Sequence, residues 1–249
     1  MDANGSQSNE IDLATILELL TKGRLEVEGM LPYSSNYTLL TRVEQDDLQA
    51  LAVYKPCRGE RPLWDFPRGT LYQREVAAYL ISEALDFDLV PPTVPREGPY
   101  GIGALQLFID HDEEAHLFTM QQEGGFEEAI LQLAAFDCLI NNADRKSGHC
   151  LKGRDGRLWA IDHGISFHHE YKLRTVLWDF VGQPFSADVA AALNRLKTRL
   201  DQQDSIAQTL AGLLNSGEMR ALRRRLNNLV STGVYPAPGP GPNIPWPPV

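Results

Sequence analysis

The sequence predicts an α+β protein of two lobes sharing a cleft, and three observations carry that expectation. The first half is rich in strand-like runs separated by turn clusters, with one helix inside it. The second half turns to helical periodicity. Between them, the stretch "INNADRKSGHCLKGRDGRLWAIDHGISF", Ile140 to Phe167, packs acids, bases and histidines around a short turn. Runs of strands followed by runs of helices are the pattern of α+β domains, and ligand sites favour the crevice between such halves.

The elements follow in chain order. Residues 1–9 read as disordered and 10–233 as one two-lobed domain, with a strand-rich N-lobe over about 10–105, a link over about 106–110 and a mainly helical C-lobe over about 111–233. "IDLATILELLTKG" sets Leu13, Ile16, Leu17 and Leu20 on one helical face and closes at Gly23, a helix C-cap. "RLEVEGML", "YTLLTRV" and "LQALAVYKP" read as strands of an antiparallel meander, separated by "PYSSN" and "EQDD". "LYQREVAAYLISEAL" is a helix with Leu71, Val76, Tyr79 and Leu80 toward a core, "PPTVPREGPYGIG" a loop and "ALQLFI" a short buried strand. The Pro/Gly-rich end, 234–249, has no means of burying a core and reads as a disordered tail.

Composition narrows the function. At 43% hydrophobic and 22% charged residues the chain is an ordinary globular protein. A formal net charge of -10 argues against a general nucleic-acid binder, since nothing basic dominates to neutralise phosphates. The acidic, polar start is neither a signal nor a transit peptide, and no apolar run is long enough to span a membrane. Three cysteines without a CxxC pairing (Cys57, Cys138, Cys150) fit reduced thiols and a cytoplasmic location.

Chemistry concentrates in the motif stretch. "FEEAILQLAAFDCLINNAD" is a helix with Ile130, Ala134, Asp137 and Asn141 on or near one face, ending around Asn141 and Asn142, residues that tolerate turn geometry. Asp144 then falls on an irregular loop at the head of a hairpin with strands "HCLKG" and "RLWAID" and turn "RDG". A turn centred between Asp155 and Gly156 sets His149 opposite Asp162, which collects one candidate base, Asp144, and two candidate metal ligands around a point. Solvated loop acids and a strand-end histidine are the plainer reading of each residue alone. His149, Cys150, His168 and His169 match no common zinc spacing. "RALRRRL", Arg220 to Leu226, reads as a solvated helix face, with an anionic lipid surface or partner as the sharper alternative, so peripheral membrane contact stays open.

"NNADRKSGH" followed by "AIDHGISF" resembles the catalytic loop and metal-binding motif of the phosphatidylinositol 3-/4-kinase family, most of all type II phosphatidylinositol 4-kinases and a bacterial branch of relatives, with "LRTVLWDF" adding to the bacterial match. The resemblance covers roughly residues 25–185 and implies a protein-kinase-like fold and an ATP-dependent phosphotransferase using Mg²⁺ or Mn²⁺ and a hydroxyl-bearing acceptor. It implies that Asp144 orients the acceptor hydroxyl or takes its proton, that Arg145, following it as in the family, is a second catalytic residue in the cleft, and that Asp162 binds the metal. Lys55 would contact the phosphates, with Glu75 as its partner. Such a reaction needs cations across the phosphoryl oxygens and a group aligning the nucleophile.

Two departures stand out. His149 occupies the position where the family usually has the second metal ligand, an Asn; imidazole suits Mn²⁺ or Zn²⁺ better than Mg²⁺. Over the phosphates, "LPYSSNY" replaces a glycine-rich loop, leaving Ser34, Ser35 and Asn36 to donate backbone N–H and hydroxyl groups. Adenine would sit against "LQLFID", with Gln106, Leu107, Phe108 and Ile109 supplying backbone hydrogen bonds and apolar walls; a plain buried strand reads the same way. The acceptor is a lipid headgroup, a protein or a small molecule. Two rival readings are a pseudokinase that holds nucleotide as a regulatory binding module and a metal-dependent hydrolase on another fold, the latter short of ligands.

Overall fold

A computed structural model describes residues 11–31 and 37–248. Helix α1 (Leu13–Lys22) begins at Asp12, whose carboxylate accepts from the Thr15 amide at 2.9 Å. Leu19 and Leu20 are its buried residues, whereas Leu13, expected inward, is exposed. Gly23 does end the helix, but not through a left-handed turn: its φ is -56. A Cβ there would lie 2.6 Å from the Leu19 carbonyl oxygen and 2.7 Å from Val43 Cγ1, so glycine is needed for the close approach of helix end to sheet.

The meander forms as expected from β1 (Arg24–Met30), β2 (Leu39–Gln45) and β3 (Leu48–Pro56). Asp46 takes the left-handed conformation, φ 52, in the tight β2–β3 turn. After helix α2 (Leu71–Ala84), strands β4 (Thr93–Gly98) and β5 (Gly101–Leu107) complete an antiparallel sheet in the order β1-β2-β3-β5-β4. The segment read as a loop from Pro91 to Gly103 is therefore largely hairpin. Its prolines masked the strand, yet Pro95 is tolerated because β4 is an edge strand.

Two cores result. The smaller lies between α1 and the sheet, around Leu20, Val43, Ala52, Tyr54 and Leu105. The larger joins α2, through Ala77, Tyr79 and Ile81, to the C-lobe helices α3 (Leu117–Glu123), α4 (Glu127–Ile140), α5 (Ala187–Asp201), α6 (Ser205–Leu213) and α7 (Ser216–Thr232). Helix α2 thus lies between strands in sequence but packs into the second lobe. Its Arg74 is buried, pairs with Glu218 near the start of α7 and donates to the Ser166 carbonyl at 3.1 Å.

Two expectations are corrected in the C-terminal part. "RALRRRL" is not one solvated face: Arg225 turns inward and donates to the Leu139 carbonyl at 2.8 Å, and burial lowers its pKa to about 9. The end of the chain is also not loose through Pro248. Tyr235 is buried and its hydroxyl donates to the Leu131 carbonyl at 2.9 Å, while Asn243 O accepts the Thr175 amide at 3.0 Å and the Trp178 indole N–H at 2.9 Å. Proline removes backbone donors but leaves every carbonyl as an acceptor, so a Pro/Gly segment docks without helical or strand periodicity. All three cysteines are free, and among the described residues no helix is long and apolar enough to cross a membrane.

Candidate active site

Helix α4 ends where its asparagines stand. Asn141 adopts φ 58, ψ 51, and its side chain donates to the carbonyls of His168 at 3.0 Å and Glu170 at 2.7 Å. Asn142 donates to Asp137 Oδ1 at 3.0 Å and accepts the Asp144 amide at 3.0 Å. Those contacts shape the loop that presents Asp144, half-buried, with Lys146 Nζ 3.3 Å from its carboxylate.

Arg145 does not join Asp144 in the cleft. Its side chain is fully buried and points behind the loop, donating to Asp137 at 2.9 and 3.2 Å, to the His149 and Ile161 carbonyls at 3.1 and 3.0 Å, and to His163 Nε2 at 2.6 Å. Burial opposes its charge, but Asp137 foremost, together with Cys150 and Asp162, outweighs burial and raises its pKa. Arg145 therefore holds the loop rather than touching a ligand. Asp137 is the partner that sequence reasoning left without a role. Its signal was present: one acid in the helix run "AILQLAAFDCLI", apolar apart from it and Gln132.

The hairpin of β6 (Cys150–Lys152) and β7 (Leu158–Ala160) forms around the expected turn, with Gly156 at φ 79. Its register is one residue off the expected one. Cys150 faces Ala160, so His149 pairs with Ile161, whose amide donates to the His149 carbonyl at 3.0 Å. Asp162 returns to the point by another route. At φ 60 it leaves the strand in the left-handed region, and its Oδ2 lies 3.6 Å from His149 Nε2.

Across the cleft, Lys55 Nζ near the end of β3 lies 2.8 Å from Glu75 Oε1 on α2 and 2.6 Å from Asp162 Oδ1. Glu75 is further fixed by the His163 amide, which donates to its other oxygen at 3.0 Å. Burial works against the Lys55 ammonium, but Asp162 and Glu75 outweigh it and hold its pKa above the ordinary value. Lys55 in turn holds the Asp162 carboxyl well below the usual carboxylate range. For His149 the balance goes the other way: burial lowers its pKa despite Asp162.

Lys55, Glu75, Asp144, His149 and Asp162 all line one cleft of about 920 Å³, with Gln106, Leu107, Phe108 and Ile109 along its rim. That strand end is partly committed: the Leu107 amide donates to Pro92 O at 2.8 Å and the Phe108 amide to Leu51 O at 3.0 Å. Gln106 is buried and its amide donates to Thr93 Oγ1 at 2.9 Å. The Ile109 carbonyl is engaged as well, 2.8 Å from His111 Nδ1. Ser34, Ser35 and Asn36 lie outside the described residues, although Leu31, Tyr37 and Thr38 beside them line the same cleft.

The donor set fits a divalent cation only in part. Asp162 offers a carboxylate and His149 a ring nitrogen beside it, and His149 Nδ1 is buried without a hydrogen-bond partner among the described residues. No group of three His, Cys, Asp or Glu side chains among the described residues could hold a metal by itself. A cation here would take its remaining ligands from phosphate oxygens and water, as Mg²⁺ does in phosphoryl-transfer sites.

No family model matches the chain. Protein Rv2133c of Mycobacterium tuberculosis is 39% identical over 262 residues, covering 92% of this chain and 94% of that protein. Phosphatidylinositol 4-kinase gamma 4 of Oryza sativa subsp. japonica is 28% identical over 150 residues, 51% of this chain but 26% of the plant protein. Phosphatidylinositol 4-kinase gamma 2 of Arabidopsis thaliana is 29% identical over 164 residues, 51% of this chain and 29% of the plant protein. Among solved structures, the proinflammatory kinase CtkA of Helicobacter pylori superposes with a TM-score of 0.53 at 13% identity, over 87% of this chain and 94% of that one. Hydra Fam20, solved with sugar, gives 0.56 at 17%, over 90% and 89%. At such identities the structural likeness is one of fold. This chain, kinase-like in fold and distantly similar in sequence to plant phosphatidylinositol 4-kinases gamma, belongs to the family of Protein Rv2133c of Mycobacterium tuberculosis.

Proposed function

We propose that the protein is an ATP-dependent phosphotransferase that moves the γ-phosphoryl group to a hydroxyl acceptor. The observation that carries this reading is the bridge of Lys55 Nζ between Glu75 at 2.8 Å and Asp162 at 2.6 Å, in a cleft that Asp144 also lines. A cation on a strand end, fixed by a helix carboxylate, is what a polyphosphate needs for grip. Asp162 is the anionic ligand for a divalent ion, and Asp144 lies on the loop from which a group aligns an attacking hydroxyl.

Each residue has a task that its environment supports. Lys55 keeps its charge on losing Asp162 to a metal, because Glu75 remains beside it. Asp162, ionised and about half-exposed, is free to exchange Lys55 for an ion. Asp144 accepts the hydroxyl proton or orients the hydroxyl, with Lys146 Nζ 3.3 Å from its carboxylate holding it in place. A divalent ion, when bound, would neutralise charge across the phosphate oxygens. The apolar rim at Leu107 and Ile109 suits a flat base.

The plant relatives' names suggest phosphatidylinositol as one acceptor class, beside protein and small-molecule hydroxyls. A second reading, a module that holds nucleotide without transferring phosphate, is favoured by one feature: His149 where the resembled family usually carries Asn. Turnover decides between them. Incubation with γ-labelled ATP and Mg²⁺ or Mn²⁺, with phosphatidylinositol vesicles, protein and small polyols as acceptors, should transfer label to one class. ATP binding without transfer or hydrolysis in any arm selects the module; absence of binding removes both readings.

A further inference from the structure

The chain's end meets the loop that carries Asp144, and the cleft chemistry does not explain why. From Tyr235 the backbone passes Gln183, whose carbonyl accepts the Tyr235 amide at 3.0 Å, and then Tyr171, whose hydroxyl accepts the Gly239 amide at 2.8 Å. It continues to Thr175 and Trp178, whose N–H groups both donate to Asn243 O, and reaches Ser147, whose amide donates to Pro248 O at 2.8 Å. Asn243 braces this path by donating to the carbonyls of Gly239 and Gly241, both at 3.0 Å.

The residues it touches are the ones that hold the Asp144 loop. Thr175 lies in a parallel bridge with Arg145, the Arg145 amide donates to Arg174 O at 2.9 Å, and the Val176 amide donates to Arg145 O at 3.2 Å. Ser147 is three residues past Asp144, and it is buried. The segment thus bonds to both sides of the Asp144 loop's support. It does not enter the cleft, since no residue beyond Ile165 lines the cavity among the described residues. A plug would stand against Asp144 or Asp162; this segment stands behind them.

We propose that residues 235–248 are a positioning strap, which fixes the Asp144 loop through Ser147 and the facing segment through Thr175 and Trp178. The proposal rests on the phosphotransferase reading for its catalytic consequence, but not for docking itself. Small misplacement of a catalytic group lowers turnover steeply while leaving nucleotide affinity alone.

The test uses the full chain and a chain ending at Pro245, which loses the Pro248 acceptor and keeps Tyr235 and Asn243. Hydrogen exchange at the Ser147 amide should accelerate at least tenfold in the shortened chain, and kcat should fall about tenfold to a hundredfold with KM for ATP unchanged. A synthetic peptide of residues 236–249 added to a chain ending at Tyr235 should restore kcat in part. If that chain does not fold, Trp178→Phe, which removes the indole donor to Asn243 and keeps an aromatic ring, takes its place and should show the same kcat loss at smaller size. Unchanged exchange at Ser147 overturns docking, and faster exchange with unchanged kcat overturns positioning. Raised kcat makes the segment inhibitory and also overturns the proposal. A full chain that binds ATP but transfers nothing removes the phosphotransferase reading and the catalytic role with it, while the exchange rate still reports whether the strap is docked.

Discussion

Two charge networks, each a cation paired with an aspartate, lie on opposite sides of the motif stretch, and they behave as opposites. Behind the Asp144 loop, Asp137 and Arg145 are both fully buried, and Arg145 also reaches two carbonyls and His163. In front, Lys55 and Asp162 form a pair in which the lysine is 16% and the aspartate 48% exposed. The rear pair has its hydrogen-bonding capacity spent on fixed protein groups. The front pair has a spare partner on the lysine, Glu75, and an open face on the aspartate. A buried, saturated ion pair fixes geometry, and losing one partner strands a charge. A half-open pair next to a cleft exchanges partners at low cost, which is the property a ligand site requires.

The comparison is broken most directly at Asp162. Asp162→Asn keeps the volume and removes the anionic ligand, so ATP turnover should fall on the order of 10³-fold, with melting temperature nearly unchanged because the side chain is about half-exposed. Steady-state kinetics beside a thermal melt separates the two effects. An active Asp162→Asn enzyme, or one that melts far lower, would make the front pair structural. Lys55→Met comes next. It should lose roughly 10²- to 10³-fold in kcat/KM, the scale of a lost transition-state contact; a fully active variant would detach the phosphates from this strand.

How much of this contrast could be read from the sequence follows from the range of the interactions. Period and turn residues are local, so the meander, α2, α4 with its asparagine end, and the hairpin turn were all legible. Lys55 and Glu75 were paired correctly by resemblance, since a strand lysine followed by a helix glutamate is a pattern in the order of the chain. The Pro95 strand was hidden because its permission comes from an edge position that only the assembled sheet defines. The register of the β6–β7 hairpin slipped by one because the turn length, not the side-chain pattern, sets it. Arg145 was placed in the cleft by its neighbour's role. Its partner Asp137 is eight residues upstream on a helix, and the direction of a side chain at a loop is decided by tertiary contacts. The strap was read as loose because carbonyl acceptors leave no periodic trace in a sequence.

The rear network should answer a substitution in stability rather than chemistry. Asp137→Ala strands the Arg145 guanidinium in the interior, at about 3–5 kcal/mol, or roughly 6–20 °C in melting temperature for a domain of this size. Turnover of the fraction that remains folded should fall less than in Asp162→Asn. Melting curves that hardly move would show that water or His163 takes over the charge, and the contrast between rear and front would dissolve.

The smallest expected effect sharpens the comparison where the networks meet, at His149. Its carbonyl accepts from Arg145 in the rear network, while its Nε2 faces Asp162 Oδ2 in the front one at 3.6 Å. One residue thus belongs to both, through the backbone behind and through the ring in front. His149→Asn leaves the carbonyl in place and changes only the ring, so the melting temperature should stay close to that of the parent. A carboxamide oxygen is a harder donor than an imidazole nitrogen and suits Mg²⁺ better, whereas imidazole favours Mn²⁺. The ratio of activity with Mg²⁺ to activity with Mn²⁺ should therefore rise, by on the order of tenfold, the low end of what changes around a metal do to its affinity. Metal titrations of turnover for parent and variant measure that ratio directly. His149→Ala provides the control. If it leaves both metal curves where they are, the ring is no ligand, Asp162 is the single protein anchor for the ion, and the front network ends at Lys55.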